Sequence, residues 1–279
     1  MTNICIIDIG SNTIKFHVKS NEDIHFKNSY NISWNILDRK RDDNYFDEIL
    51  GKIKKIVTDF DEIIAIGTEA LRNNATLEKR IIKGFNELNI SYKTITQEVE
   101  AELIKSAVYK EPAYKGLNII NVGGGSIQII DTSDNIFLFK FGISFLNSEF
   151  NLNKTPSERK SDECIKWIEN QLPELTNSFI YSGGEKKYLE SMNIKLQQEG
   201  YCLQSDFKEL HTSMLIKPID DLKKHSPFDP DWMQGAIASN CIVLAIMNKS
   251  NSNTFLPSDL NISNGVYEVL LEKETKVLI

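Results

Sequence analysis

The chain has 279 residues, 41% of them hydrophobic and 25% charged, which gives room for two domains of about 100–150 residues and excludes a disordered or collagen-like polymer. Its net charge of −7 argues against a large nucleic-acid footprint or an anionic membrane surface as the main partner, while leaving an anionic small substrate open. Cys5, Cys164, Cys202 and Cys241 lie far apart with no C-x-x-C pair, which reads as thiols in a reducing compartment. The longest apolar run, 235–247, is broken by Ser239 and Asn240 and is too short to span a bilayer. The sequence opens directly into strand-like Ile4-Cys5-Ile6-Ile7 without a leader pattern. A cytoplasmic protein with no nucleic-acid or membrane partner is expected.

In chain order, residues 4–9 read as a central strand, apolar on both faces. Ile14, Phe16 and Val18 alternate with Lys15, His17 and Lys19, which predicts a second strand whose wet face carries His17. A third strand is expected around 25–30. Residues 44–60 have helical spacing, 62–67 form another buried strand, and that strand delivers Thr68 to Asn74 to its C-terminal end, where open α/β sheets place ligand groups. A helix over 77–88 and a strand over 91–95 follow. The next helix begins near Thr96, with Val99, Leu103 and Ala107, together with Ile104 and Val108, as its apolar stripe and Glu98, Glu100 and Glu102 mainly elsewhere. Residues 110–116 are the expected hinge, dividing the chain into domains 1–115 and 116–279.

The second half repeats the order of the first. Strands come before and after Gly123-Gly124-Gly125, a third spans 135–141, and a helix begins after the turn at Phe141-Gly142-Ile143-Ser144-Phe145. A helix over 158–171 precedes a strand over 178–181 and the turn Ser182-Gly183-Gly184-Glu185. A short strand at Ile216, a helix from Asp220, a long helix over 232–247, a strand over 253–257 and a closing helix over 265–271 complete the prediction.

Two stretches share one build. Sliding Ile7-Asp8-Ile9-Gly10-Ser11-Asn12-Thr13 onto the second half pairs Ile7 with Ile120, Asp8 with Asn121, Gly10 with Gly123 and Thr13 with Ser126. In both, a buried strand ends in one polar side chain and turns through glycine and a hydroxyl. Glycine turns let backbone N–H groups converge on an anion, and the polar side chain at the strand end suits a metal or a water. A duplicated fold with a cleft between its halves is expected.

Duplicated halves of this kind describe the actin, hexokinase and heat-shock chaperone superfamily. Within it the motifs resemble those of exopolyphosphatases and guanosine pentaphosphate phosphohydrolases, the Ppx/GppA family. Asp8-Ile9-Gly10-Ser11-Asn12-Thr13 resembles D-x-G-S-N-[ST], and Gly67-Thr68-Glu69-Ala70-Leu71-Arg72 looks like A-T-x-A-L-R. The run from Gln97 to Ile104 is similar to G-x-E-E-A-R-L-I, and Asn121 to Ser126 to D-I-G-G-G-S. Lys140 to Ser144 resembles the leucine-glycine turn, Ser182-Gly183-Gly184 matches T-G-G, and Ser258-Asp259 through Gly265-Val266 the closing S-x-x-G-[LV]. The matches keep their order over nearly the whole chain, which resembles the short two-domain form.

The resemblance implies an α/β fold of two duplicated ribonuclease H-like (actin-like) domains, each β-β-β-α-β-α, with an interdomain cleft. It implies Mg²⁺-dependent release of terminal phosphate from inorganic polyphosphate or guanosine pentaphosphate, by a cytoplasmic protein expected to be a homodimer. Phosphoryl transfer asks for positioning, charge neutralisation and a placed water. By correspondence, Glu100 is the catalytic residue that orients or deprotonates the water. Asp8 and Asn121 are the metal positions. Gly10, Ser11, Asn12, Thr13, Arg72, Gly123, Gly124, Gly125, Ser126, Ser144, Gly183 and Gly184 are the phosphate-binding set. The structural alternatives are a capped turn for Asp8, a surface ion pair for Arg72 and a plain hairpin for Gly123–Gly125. No histidine is assigned to catalysis.

Three departures from the family pattern stand out. Asn121 puts a neutral amide where a carboxylate is expected. Glu102 replaces an arginine, and its charge is expected to raise the pKa of Glu100 if the two lie close. Residues 21–45 lack the family's R-x-G-x-G-like segment. They leave room for reduced activity, so a non-catalytic binder of polyphosphate or (p)ppGpp acting as a sensor is the second reading. A sugar or acetate kinase is the third, opposed by the Gln97–Ile104 motif.

Overall fold

The computed structural model of the protein describes residues 3–11, 13–20, 23–31, 43–153 and 157–277. Asn12 and most of the segment in which the R-x-G-x-G-like motif was sought lie outside them. The chain divides into two compact units, Met1–Glu100 with Ile262–Ile279, and Ala101–Asn261.

In the first unit a five-stranded sheet has the order β3-β2-β1-β4-β5, built from β1 (Ile4–Ile9), β2 (Thr13–Ser20), β3 (Asp23–Asn31), β4 (Glu62–Gly67) and β5 (Ser91–Thr94). β2 is antiparallel to β1 and to β3, whereas β4 runs parallel to β1 and to β5. Helices α1 (Asp43–Val57), the single turn α2 (Glu69–Arg72) and α3 (Ala75–Glu87) complete the β-β-β-α-β order. Ile49 and Ile53 of α1 and Ile81 and Phe85 of α3 close over Cys5, Ile7, Ile9, Ile14 and Phe16. Asn74 caps α3 by accepting from the Leu77 N–H at 3.0 Å, satisfying one of its orphan donors.

The last helix, α11 (Ile262–Val277), packs against β1 and β3. Every residue of β1 is therefore buried, which is why that strand reads as an unbroken apolar run. This packing also corrects the expectation for His17. The residue is buried, with its Nδ1 2.9 Å from the Ser263 hydroxyl of α11, and does not face water. The division into units likewise differs from a cut at 115/116. It falls after Glu100, inside helix α4 (Gln97–Tyr109), and the C-terminal helix belongs to the first unit.

The second unit has a six-stranded sheet of order β10-β11-β9-β6-β7-β8, made of β6 (Asn118–Val122), β7 (Ile127–Ile130), β8 (Ile136–Phe139), β9 (Phe179–Ser182), β10 (Cys202–Leu203) and β11 (Thr254–Pro257). β6-β7-β8 is an antiparallel meander, and β6, β9 and β11 run parallel. Ala101, Ile104, Ala107 and Val108 of α4 pack on Ile119, Ile130, Ile180 and Leu256. Ile104, Ala107 and Val108 of the expected stripe are thus buried and Ala101 joins them, while Leu103 is half-buried and Val99 is exposed. The other helices are α5 (Ile143–Phe150), α6 (Glu158–Gln171), α7 (Glu185–Ser191), α8 (Gln204–Leu215), α9 (Ile219–Lys223) and α10 (Ala236–Ser250). Residues 236–247 of α10 are all buried, as befits a helix that is apolar on every side. Ile216 is the C-cap of α8 and 81% exposed, so the strand expected there is absent. The turn at Ser182 leads into α7, a helix the apolar pattern did not announce. The four cysteines are buried and none is in a disulfide among the described residues. Among the described residues no helix is long and apolar enough to cross a membrane.

Candidate functional site

The two glycine units fold alike. In the first unit the Gly10 N–H donates to the Thr13 carbonyl at 2.9 Å, and in the second the Gly123 N–H donates to the Ser126 carbonyl at 2.9 Å. The same bond closes each turn between an antiparallel strand pair, β1–β2 and β6–β7. The chemistry below each turn is different.

In the first unit, Asp8 lies near the end of β1, beside Ile66 of β4 and opposite Lys15 of β2. It is 7% exposed, and its Oδ1 has no hydrogen-bond partner among the described residues. Burial holds its carboxyl above the ordinary value, against the opposing charge of Lys15. Ser11 is also buried and donates its hydroxyl to Glu69 Oε2 at 2.6 Å. Asn12 lies outside the described residues, and Thr13 opens β2.

β4 ends at Gly67, and Thr68 ties it to β1 through its N–H and its hydroxyl, both donating to the Ile9 carbonyl. The single turn α2 then displays Glu69, Arg72 and Asn73 on one side, as spacings of three and four residues dictate. Asn73 Nδ2 donates to Glu69 Oε1 at 2.7 Å. Arg72 Nη1 donates to the Ile95 carbonyl at 2.7 Å and pairs with Glu100 Oε1. Its Nη2 is buried with no partner among the described residues.

Glu100, in the first turn of α4, is 4% exposed. Its carboxyl is pushed up to about 7, chiefly by burial; the charge and hydrogen bond of Arg72 oppose this, and the charges of Asp8 and Glu69 add to it. Glu102 takes no part. It is exposed, because two residues along a helix point to different sides, and this corrects the expectation that its charge would act on Glu100. The first unit thus gathers Asp8, Ser11, Glu69, Arg72 and Glu100. Arg72 is neither a lone clamp nor a surface ion pair: it holds Glu100 with one nitrogen and keeps the other open.

Among the described residues no three His, Cys, Asp or Glu side chains form a ready metal shell. Mg²⁺ does not require one, since it usually takes one or two carboxylates and completes its octahedron with water and substrate phosphate. The unpartnered Asp8 oxygen fits that habit.

In the second unit the strand-end polar group is locked into a neutral network. Asn121 Nδ2 donates to Gln128 Oε1 at 2.6 Å, and Ser182 donates to Asn121 Oδ1 at 3.2 Å. Gln128 Nε2 in turn donates to Ser126 Oγ at 3.1 Å. Gln128 is fully buried on β7; its burial among isoleucines hid its role from the sequence reading. Both ends of the Asn121 amide are satisfied and neither carries charge, so this position does not fit a metal as Asp8 does.

Above that network the N–H groups of Gly124, Gly125 and Ser126 meet no backbone acceptor among the described residues, as an anion cradle requires. Ser144 and Ile143 donate instead to the carbonyls of Gly124 and Gly123, so their N–H groups brace the cradle. Gly142 permits that approach. A Cβ there would collide with the Gly123 carbonyl and lie 2.8 Å from the Gly124 carbonyl and the Ser126 nitrogen.

Gly183 and Gly184, expected to bind phosphate, are committed elsewhere. Their N–H groups donate to the carbonyls of Leu260 at 3.0 Å and Ser258 at 3.2 Å, and the Phe228 ring covers Gly184. With φ of +113° and +111°, they form a structural turn joining the ends of β9 and β11. Beside it, Glu185 is buried with an unpartnered Oε1, its carboxyl pushed up to about 8 by burial first and by Asp259 second. The sequence reading assigned Glu185 nothing; an acidic residue opening a short helix carries no signal of burial.

A model of the Ppx/GppA phosphatase family matches residues 6–226. Among solved structures, the chain is similar to an Ppx/GppA family member from Aquifex aeolicus (17% identity, TM-score 0.78, covering 98% of each chain). It is also similar to an exopolyphosphatase from Cytophaga hutchinsonii (19% identity, TM-score 0.80, covering 97% of this chain and 98% of that one). An exopolyphosphatase-like protein matches at 13% identity and a TM-score of 0.74, over 96% of this chain and 99% of the other. No curated protein matches the sequence. The likeness extends over both units and is that of the two-domain actin-like fold.

Proposed function

The chain belongs to the Ppx/GppA phosphatase family, and from that premise we propose that it is a Mg²⁺-dependent phosphohydrolase releasing terminal phosphate from inorganic polyphosphate or a guanosine polyphosphate. The observation that carries this reading is a pair of buried, unpartnered groups flanking Glu100: an acceptor at Asp8 Oδ1 and a donor at Arg72 Nη2. Stranding such groups costs about 1–3 kcal/mol each. A cation on the first and a phosphate oxygen on the second remove both costs, which an apolar ligand would not do.

In this mechanism Glu100 takes the proton of the attacking water, a task suited to a carboxylate whose pKa lies near neutrality. Arg72 orients Glu100 through Nη1 and holds a terminal phosphate oxygen through Nη2. Asp8 would hold Mg²⁺, which when bound neutralises charge on the phosphate chain. Within the second unit by itself, Gly124, Gly125 and Ser126 carry backbone N–H groups of the kind that bind phosphate oxygens.

The test is phosphate release from long-chain polyphosphate, tripolyphosphate and pppGpp, with and without Mg²⁺. Release that collapses in Glu100→Gln and Arg72→Ala supports the reading, and full activity in both ends it. The neutral Asn121–Gln128 network favours a second reading, a sensor that binds these phosphates without hydrolysing them. Calorimetric binding of pppGpp without turnover would select it. The proposal includes a cytoplasmic homodimer, which light scattering of the purified protein checks for oligomeric state.

A further inference from the structure

A hydroxyl has one proton to give. That of Ser11 goes to Glu69 Oε2 at 2.6 Å, and Glu69 is held in place from its other side by Asn73 Nδ2 on Oε1 at 2.7 Å. With its proton committed, Ser11 Oγ presents only lone pairs. Lone pairs repel a phosphate oxygen and attract a cation or the hydrogen of a water. The sequence grouped Ser11 with the phosphate donors; its hydrogen bond gives it the opposite polarity. Three residues earlier, in β1, Asp8 Oδ1 is a second acceptor, buried and without a partner among the described residues. Among the described side chains, Ser11 Oγ and Asp8 Oδ1 are thus two acceptors close in the chain, chemistry that suits a cation. In the second turn the N–H groups of Gly124, Gly125 and Ser126 meet no backbone acceptor among the described residues.

We infer that Glu69 is a positioning residue: by fixing the Ser11 proton it turns Ser11 Oγ, together with Asp8, into a seat for a hydrated divalent cation. This rests on the phosphohydrolase reading for the purpose of the cation, but it concerns this chain's own hydrogen bonds. The structure supplies the geometric reason for Glu69 to matter: a one-turn helix fixed by its ties to β1 carries it, and both its oxygens are engaged.

The experiment is Mn²⁺ binding, followed by electron paramagnetic resonance, and metal-free tripolyphosphate binding, followed by calorimetry. Both are measured on the full chain as wild type, Glu69→Gln, Ser11→Ala and the double variant. Glu69→Gln keeps the shape and the Asn73 bond, but its amide N–H faces Ser11 and frees the Ser11 proton. Mn²⁺ affinity is expected to fall about tenfold or more, as for other residues that orient a ligand. Metal-free tripolyphosphate affinity should hold or rise, and Tm should stay unchanged. Because Glu69 acts through Ser11, the double variant should lose no more Mn²⁺ affinity than Ser11→Ala alone. Unchanged Mn²⁺ affinity in Glu69→Gln, strictly additive losses, or a loss of metal-free tripolyphosphate binding in Ser11→Ala each overturn the inference. Any of these results can occur in a protein that still hydrolyses polyphosphate. A wild type that binds neither Mn²⁺ nor tripolyphosphate overturns the functional reading and this inference with it.

Discussion

Replacing Arg72 with alanine should move the pH dependence of the reaction, and the structure sets the direction and size. Glu100 must be unprotonated to accept a proton from water, so with its carboxyl pushed up to about 7 the wild-type rate should rise through neutrality and level off above it. Arg72 lowers this pKa through its charge and its hydrogen bond; burial, Asp8 and Glu69 raise it. An opposite charge in contact with a carboxylate depresses its pKa by about 1–3 pH units. Losing it should carry the acidic limb from about 7 to about 8 or beyond, each pH unit being worth about 1.4 kcal/mol. At pH 7 the unprotonated fraction of Glu100 then drops from about one half to below about one tenth. That part of the rate loss should return at alkaline pH, while the part due to the missing phosphate contact should not. Phosphate release from tripolyphosphate across the pH range, with a carbon-13 titration of the glutamate carboxyls, separates the two. Asp8→Asn removes a raising influence and should shift the Glu100 titration the opposite way. An acidic limb that stays in place in Arg72→Ala, or moves down, refutes the assignment of Glu100 as the base restrained by Arg72.

Three further outcomes are expected. Glu185 has a folded-state pKa of about 8 against an ordinary 4.5; its protonated form is the one the fold favours, so its contribution to stability is full below about pH 4.5 and is lost as pH rises through about 8. At pH 7 that loss is about 3 kcal/mol, and Glu185→Gln should restore it, so urea unfolding at acidic and neutral pH should show a flatter pH slope for the variant; parallel slopes would contradict this. Gly142→Ala drives a Cβ into the Gly123 carbonyl, at a cost of about 1–3 kcal/mol and with displacement of the cradle. Its affinity for tripolyphosphate should fall more than its Tm suggests, and intact binding would show that the cradle lies elsewhere. Asn121→Asp is isosteric, and Gln128 can turn its amide to donate to the new carboxylate, so the variant should stay within about 1 kcal/mol of wild type. The new carboxylate should add Mn²⁺ affinity that the wild-type amide does not supply; unchanged Mn²⁺ binding would contradict this.

The local grammar of the chain carried much of this protein. The glycine turns at Gly10 and Gly123 were legible because a strand, a glycine and a hydroxyl in close sequence determine one hairpin, and both close with the same bond. The alternation of β2 and the helical spacing of α1, α3 and α6 are likewise short-range patterns. Ile216 misled because one apolar residue flanked by Leu215 and Lys217 fits a strand end as well as a helix cap, and α7 was missed because seven residues show barely two turns of periodicity.

Composition and spacing by themselves pointed to two α/β units, their duplicated strand order and the paired glycine turns, while the resemblance to the family implied the roles of Asp8, Arg72 and Glu100. The tertiary structure alone decided what those groups are. It set Arg72 against Glu100, gave the Ser11 proton to Glu69, and committed the Gly183 and Gly184 N–H groups to carbonyls of residues 258 and 260. It also brought Ser263 of the C-terminal helix onto His17, 246 residues away. Periodicity reports which side of an element is apolar, whereas charge state and hydrogen-bond polarity depend on burial and on partners that arrive from distant parts of the chain.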